Sequence, residues 1–212
     1  MPPTQSPPTR WRPLRLPPIR ARYVGRALLL GYGLFCLLYL SSHALRLGTP
    51  LTLQRGAFDA AIPLLPWTIW PYLSQFVLLP LAVVKARDDA DRSRVYYAAL
   101  LATLTAAAVF LLFPTQLQRP PLPQGGMTGY AWQLLFASDV DGNCFPSLHA
   151  ALAALAGIAL WRRGWRATAL SWTALIATAT LTTRQHVAWD TLAGILLGAI
   201  AWMLTPRLFR HD

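Results

Sequence analysis

Between residues 27 and 204 the chain is a succession of long apolar runs separated by short polar segments. A run of about 20 apolar residues crosses a bilayer as a helix, because only a helix satisfies its own backbone hydrogen bonds there. Six runs can be read, at 27–45, 67–84, 95–113, from NCFPSLHA to Trp161, 167–183 and 187–204. Only 13% of residues are charged and the mean hydropathy is +0.38, whereas a soluble domain carries about 25% charge. The expected fold is all-α, a polytopic membrane helix bundle with six transmembrane helices.

The net charge of +11 raises the question of nucleic acid. The basic residues fall in short loops between apolar runs, with no basic helix free to enter a groove, so nucleic-acid binding is not expected. With the N-terminus inside, 15 of the 19 Lys and Arg lie in inner segments: the tail, KARDDADRSR (85–94), WRRGWR (161–166) and the C-terminal end. That bias orients a membrane protein with its cations on the cytoplasmic side. It implies cytoplasmic termini, leaving Arg46, Arg55, Arg119 and Arg184 outside. The domain reading is a flexible Pro/Arg-rich cytoplasmic tail at 1–26, a membrane domain at 27–205 and a short cytoplasmic tail at 206–212. A basic stretch before an apolar run also reads as a signal peptide, but His43 in Ser42-His43-Ala44 is not a small residue, so the first run is taken as a span.

Several segments have plain readings. KARDDADRSR is expected to be a solvated connection. Trp67, Trp70 and Tyr72 mark a membrane–water boundary, and Pro80 is expected to kink the second span. DVDGN (139–143) lacks the remaining ligands of a calcium loop. Cys36 and Cys144 suggest no disulfide, no Cys/His cluster has zinc spacing, and neither metal nor cofactor is expected. Gly194 and Gly198 have the spacing of a close helix–helix contact.

Two motifs remain, NCFPSLHA (143–150) and TTRQHVAWD (182–190). Titratable residues at the mouths of membrane helices are costly and point to function. The charge pattern places His149, Arg184, His186 and Asp190 at the outer face, together with Arg119 in QRP. His186 and Asp190 are spaced i, i+4, which puts them on one helix face. A carboxylate on one imidazole nitrogen makes the other a better nucleophile. His149 is placed to protonate a leaving oxygen. Ser147 opens a helix whose free N–H groups suit an anion, and Arg119 and Arg184 suit non-bridging phosphate oxygens. The set fits phosphoryl transfer through a phosphohistidine.

These residues resemble the type 2 phosphatidic acid phosphatase (lipid phosphatase/haloperoxidase-like) superfamily. Its motifs are Lys-x6-Arg-Pro, Pro-Ser-Gly-His and Ser-Arg-x5-His-x3-Asp. CFPSLHAA resembles the second, with Leu148 in place of glycine, and LTTRQHVAWDTLAG resembles the third. The resemblance makes His186 the nucleophile, Asp190 its orienting acid, His149 the leaving-group acid and Arg119 the arginine of the first motif. The first motif's lysine falls at Leu112 and the third motif's arginine at Thr180, with Arg184 as a substitute. NxFPSLH, TxxTxQH and FDAAIPLLPW (58–67) are closer to the branch that resembles inositol phosphorylceramide synthases. The implied function is a lipid phosphate or diphosphate phosphatase in the plasma (inner) membrane, its site facing the outside or periplasm and its partners being substrate and membrane lipids. Two alternatives stand beside it: a lipid head-group phosphotransferase using an alcohol acceptor, and a non-catalytic transporter or scaffold. Oligomeric state is not legible in the sequence.

Overall fold

The computed structural model describes residues 13–210. Nine α-helices account for most of them: α1 Val24–Ala44, α2 Ala57–Ala61, α3 Ile69–Leu73, α4 Gln75–Val84, α5 Asp89–Leu112, α6 Gly126–Ser138, α7 Leu148–Arg162, α8 Arg166–Thr182 and α9 Ala188–Leu208. Four two-residue strands form two parallel pairs, β1 (Leu14–Arg15) with β4 (Phe209–Arg210) and β2 (Leu51–Thr52) with β3 (Thr115–Gln116).

Helix α7 is the hub. Ala150 to Gly157, Ala159 and Leu160 are all buried, and α4, α5, α8 and α9 pack around it. A helix apolar on every side is stable only when encased, and the small alanines let its neighbours approach. The closest approach is by α9. A Cβ on Gly194 would stand 2.1 Å from the Ser147 carbonyl oxygen, and one on Gly198 2.1 Å from that of Ala151. The glycine pair is therefore a backbone-on-backbone contact, as its spacing suggested.

Four helical stretches are long and apolar enough to cross a membrane: 21–44, 66–84, 89–112 and 188–208. These coincide with four of the six expected spans; the other two correspond to shorter helices. The α7 helix has 15 residues and α8 has 17, so α7 rises about 22 Å against a hydrocarbon core of about 30 Å. It is also the helix that the others encase.

Other expectations are revised locally. The 66–84 stretch is interrupted at Ser74, while Pro80 sits inside α4. The Ser74 hydroxyl donates to the Pro71 carbonyl at 2.6 Å and accepts from Trp172 Nε1 at 2.8 Å, a back-bond of the kind that bends helices. KARDDADRSR is no mere solvated loop. Asp88 caps α5 by accepting from Asp91 N at 2.7 Å, Arg163 Nε donates to Asp91 at 2.8 Å, and the Arg87 guanidinium donates to the Arg162 carbonyl. The two basic turns are thereby clasped together. Of the N-terminal tail read as flexible, residues 1–12 lie outside the described residues. From residue 13 the chain runs extended along α5: Ile19 N donates to Ser93 Oγ at 2.8 Å, and Tyr97 donates to the Pro17 carbonyl at 2.7 Å.

The α7–α9 contact makes a stability prediction. Gly198→Ala must displace a backbone carbonyl and should cost about 1–3 kcal/mol. Gly33→Ala, inside α1 where an added Cβ meets nothing within 4 Å, should be neutral to slightly stabilising. Thermal melts of both variants in detergent check this, and equal melting temperatures would contradict it.

Candidate active site

The two motifs meet at the end of the bundle where α7 and α9 begin. Ser147 N donates to the Asp190 carbonyl at 3.0 Å, so the first turns of the two helices lie side by side. His149 and His186 line one cavity there, together with Arg119, Arg184, Tyr39, Tyr72, Asp139 and Asp141.

Asp190 is fully buried. Its Oδ2 lies 3.1 Å from His186 Nδ1 and its Oδ1 accepts from Val187 N at 3.0 Å. A desolvated carboxylate needs such partners. With Nδ1 held by Asp190, the ring nitrogen left for chemistry is Nε2, and His186 is 8% exposed at the cavity. His149 is held by Tyr72: the rings stack with centroids 4.1 Å apart, and the hydroxyl lies 3.3 Å from Nδ1. Its Nε2 is buried and has no hydrogen-bond partner among the described residues.

Both arginines are anchored and incompletely satisfied. Arg119 donates to the Phe136 carbonyl at 3.2 Å and the Asp139 carbonyl at 2.8 Å, and its guanidinium lies 4.7 Å from the centre of the Phe136 ring. Arg184 donates to the Ile62 carbonyl at 3.2 Å from a residue with φ of 54°. The Nε of each is buried without a partner. Three orphaned polar atoms around one cavity are costly unless a ligand satisfies them. Donors of this type, two guanidinium and one imidazole, suit an oxyanion.

Ser147 stands apart. It is fully buried and does not line the cavity. Its Oγ accepts from Ala150 N at 3.4 Å as the N-cap of α7, so its hydroxyl is spent on the helix rather than offered to a ligand. The positions where the resembled motifs carry cations do not face the cavity either. Leu112 is exposed at the end of α5, and Thr180 is buried with its hydroxyl 2.9 Å from that of Thr191.

Four residues escaped the sequence reading. Tyr72, taken as a boundary aromatic, is 1% exposed beneath His149, while Trp67 and Trp70 are exposed as expected. Asp139, from the discounted DVDGN segment, lines the cavity and accepts from the Tyr39 hydroxyl at 2.7 Å. Burial raises its carboxyl above the usual range, against the opposing pull of Tyr39 and Arg119. The other two belong to the 47–66 loop, which straps the second motif. Arg55 donates to the Arg184 carbonyl at 2.7 Å, Asp59 accepts from Ala188 N at 2.7 Å, and Leu65 N donates to the Thr182 carbonyl at 2.9 Å. Burial, and then the neighbouring Arg184 guanidinium, lower the Arg55 pKa from its ordinary value. Such crowding of cations favours an anion between them. Among the described residues no group of three His, Cys, Asp or Glu side chains is arranged to hold a metal ion.

Residues 93–211 match the model of the PAP2 superfamily. The chain belongs to that family. The match spans both motifs and Arg119, and with the four apolar helices it marks a membrane protein whose family suggests lipid phosphatase or related phosphotransferase activity. No curated protein matches the chain.

The strap predicts that Asp59→Ala frees the first amide of α9 and costs about 1 kcal/mol. By loosening the loop that carries Arg184 and His186 it should also weaken binding of vanadate, an oxyanion that mimics phosphate in transfer. A thermal melt reads the first effect and calorimetric titration the second; vanadate affinity equal to wild type would contradict the positioning role.

Proposed function

We propose that the protein is a membrane-embedded lipid phosphate or diphosphate phosphatase acting through a phosphohistidine on His186. The observation that carries this is the His186–Asp190 pair at 3.1 Å, opening onto the same cavity as the unpartnered Nε2 of His149. His186 Nε2 attacks phosphorus, and the bond to the leaving oxygen breaks. His149, its Nδ1 engaged by Tyr72, donates the Nε2 proton to that oxygen. Arg119 and Arg184 carry the non-bridging oxygens through their orphaned Nε groups, and Asp190 stabilises the charged imidazole. His149 then takes a proton from water, which attacks phosphorus, releases phosphate and restores His186.

The sidedness of the chain supports a site at the outer face. The basic turns around Arg87 and Arg163 are clasped at one end of α7, and His149 lies at the other. With the positive-inside bias of the loops, we infer six spans, including the shorter α7 and α8. The same bias supports cytoplasmic termini, with the 1–26 and 206–212 tails inside, and a plasma-membrane location with the cavity outside or periplasmic. The domain reading is then one membrane unit at 27–205.

A second reading shares the intermediate. Asp139 and Asp141 line the cavity beside Arg119, and carboxylates accept hydrogen bonds from a hydroxyl-rich acceptor. This favours transfer to an alcohol, as in the branch that resembles inositol phosphorylceramide synthases.

His186→Ala should lower turnover of lipid phosphates by more than 10³-fold, on the scale of a lost nucleophile. His149→Gln should lower it by about 10²–10⁴-fold, with much less loss on p-nitrophenyl phosphate, whose leaving group needs no proton. Steady-state phosphate release with and without polyol acceptors measures both effects and separates hydrolysis from transfer. Near-wild-type rates for either variant on lipid substrates would contradict the assignment.

A further inference from the structure

Two further cavities continue from the candidate active site into the bundle. The nearer, of about 140 Å³, shares Tyr39, Asp139, Leu148 and His149 with the site. The farther, of about 410 Å³, shares Tyr32, Phe35, Gln75, Phe76 and Leu152 with the nearer one and extends between α1, α4 and α5. Its walls are otherwise almost wholly apolar: Leu28, Leu79, Pro80, Val83 and Leu100 among them. The route therefore begins at His149 and ends in a space fit for hydrocarbon.

Gln75 breaks this pattern. It is 3% exposed, lines both cavities, and its carboxamide makes no hydrogen bond with any described residue. An amide that makes no hydrogen bond within the protein and opens onto apolar-walled cavities is left free to bond a ligand there. Its position along the helix is informative. It lies three residues beyond Tyr72, which stacks on His149, just past the interruption at Ser74, where the backbone stays close to helical: Ser74 N donates to the Trp70 carbonyl at 3.0 Å and Leu78 N to that of Ser74 at 2.9 Å. Three residues of helix rise about 4.5 Å, so Gln75 stands one turn deeper than the group that holds the leaving-group acid. Phe76, the next residue, packs edge-on to His149 at 5.5 Å.

We propose that Gln75 is a specificity-determining residue that reads the linkage next to the substrate's phosphate. It would donate to an acyl carbonyl, ester or amide, lying about one helical turn below the phosphorus, while the hydrocarbon chain continues into the larger cavity. The preferred substrate class is therefore an acyl lipid phosphate rather than a polyprenyl phosphate, which presents no acceptor at that depth. This rests on the phosphatase or phosphotransferase reading of the site and narrows its substrate.

The test compares wild type with Gln75→Met, which keeps length and removes the amide, and with Gln75→Leu. The full-length protein in nanodiscs is given a diacyl glycerol phosphate, its di-O-alkyl analogue, a polyprenyl phosphate and the tail-less p-nitrophenyl phosphate. Wild type should favour the diacyl lipid over the other two lipids. Both variants should lose about five- to tenfold in kcat/KM on the diacyl lipid, the scale of one neutral hydrogen bond. The dialkyl, polyprenyl and tail-less substrates should be little changed, and the melting temperature should not fall. Equal losses on diacyl and dialkyl lipids, no loss on either, or a wild-type preference for polyprenyl phosphate overturns the role of Gln75 and leaves the catalytic reading standing. Absence of wild-type turnover on all four substrates overturns both.

Discussion

The close contact between α7 and α9 is the constraint on which everything else depends. Gly194 and Gly198 present backbone to the carbonyls of Ser147 and Ala151, and Ser147 N closes onto the Asp190 carbonyl. These contacts pair the start of α7 with the first turns of α9 and fix the register of the two helices. Because one starts with a Pro-Ser-x-His segment and the other with His-x-x-x-Asp, their register alone sets His149 and His186 at one cavity. The chemistry is thus a consequence of glycine placement as much as of the histidines themselves.

Around that contact the protein fixes each reactive ring from behind. Asp190 holds His186 through Nδ1, and Tyr72 holds His149 by stacking and through Nδ1. The cavity-facing side is left underbonded, with orphaned nitrogens on His149, Arg119 and Arg184. Structures tolerate such groups at functional sites because the ligand completes them. The strap from Arg55 to Leu65 completes the frame by bonding the backbone on either side of His186.

Much of this was legible in the sequence for a definite reason. His149 opens α7, and His186 sits two residues before α9 with Asp190 in its first turn, so short motifs at helix starts find them. Arg119 and Arg184 stood out because a charge on the poorer side of a membrane protein needs a cause. Ser147 was legible as a cap but not as a ligand group, since the direction of a hydroxyl is a tertiary fact. Tyr72, Arg55 and Asp59 were not legible. Their partners lie 77, 129 and 129 residues away in the chain, and an aromatic or charged residue in a loop has commoner explanations. Hydropathy alone does not separate the four long apolar stretches from α7, a 15-residue helix encased by protein.

The central claim is that His186 carries the phosphoryl group. Rapid quenching of the full-length enzyme with a lipid phosphate labelled at phosphorus tests it most directly. The account predicts an acid-labile, base-stable protein-bound label in wild type, mapped to the peptide containing His186 and absent from His186→Ala. A wild type that turns over substrate without such a label, or a label that persists in His186→Ala, would contradict it.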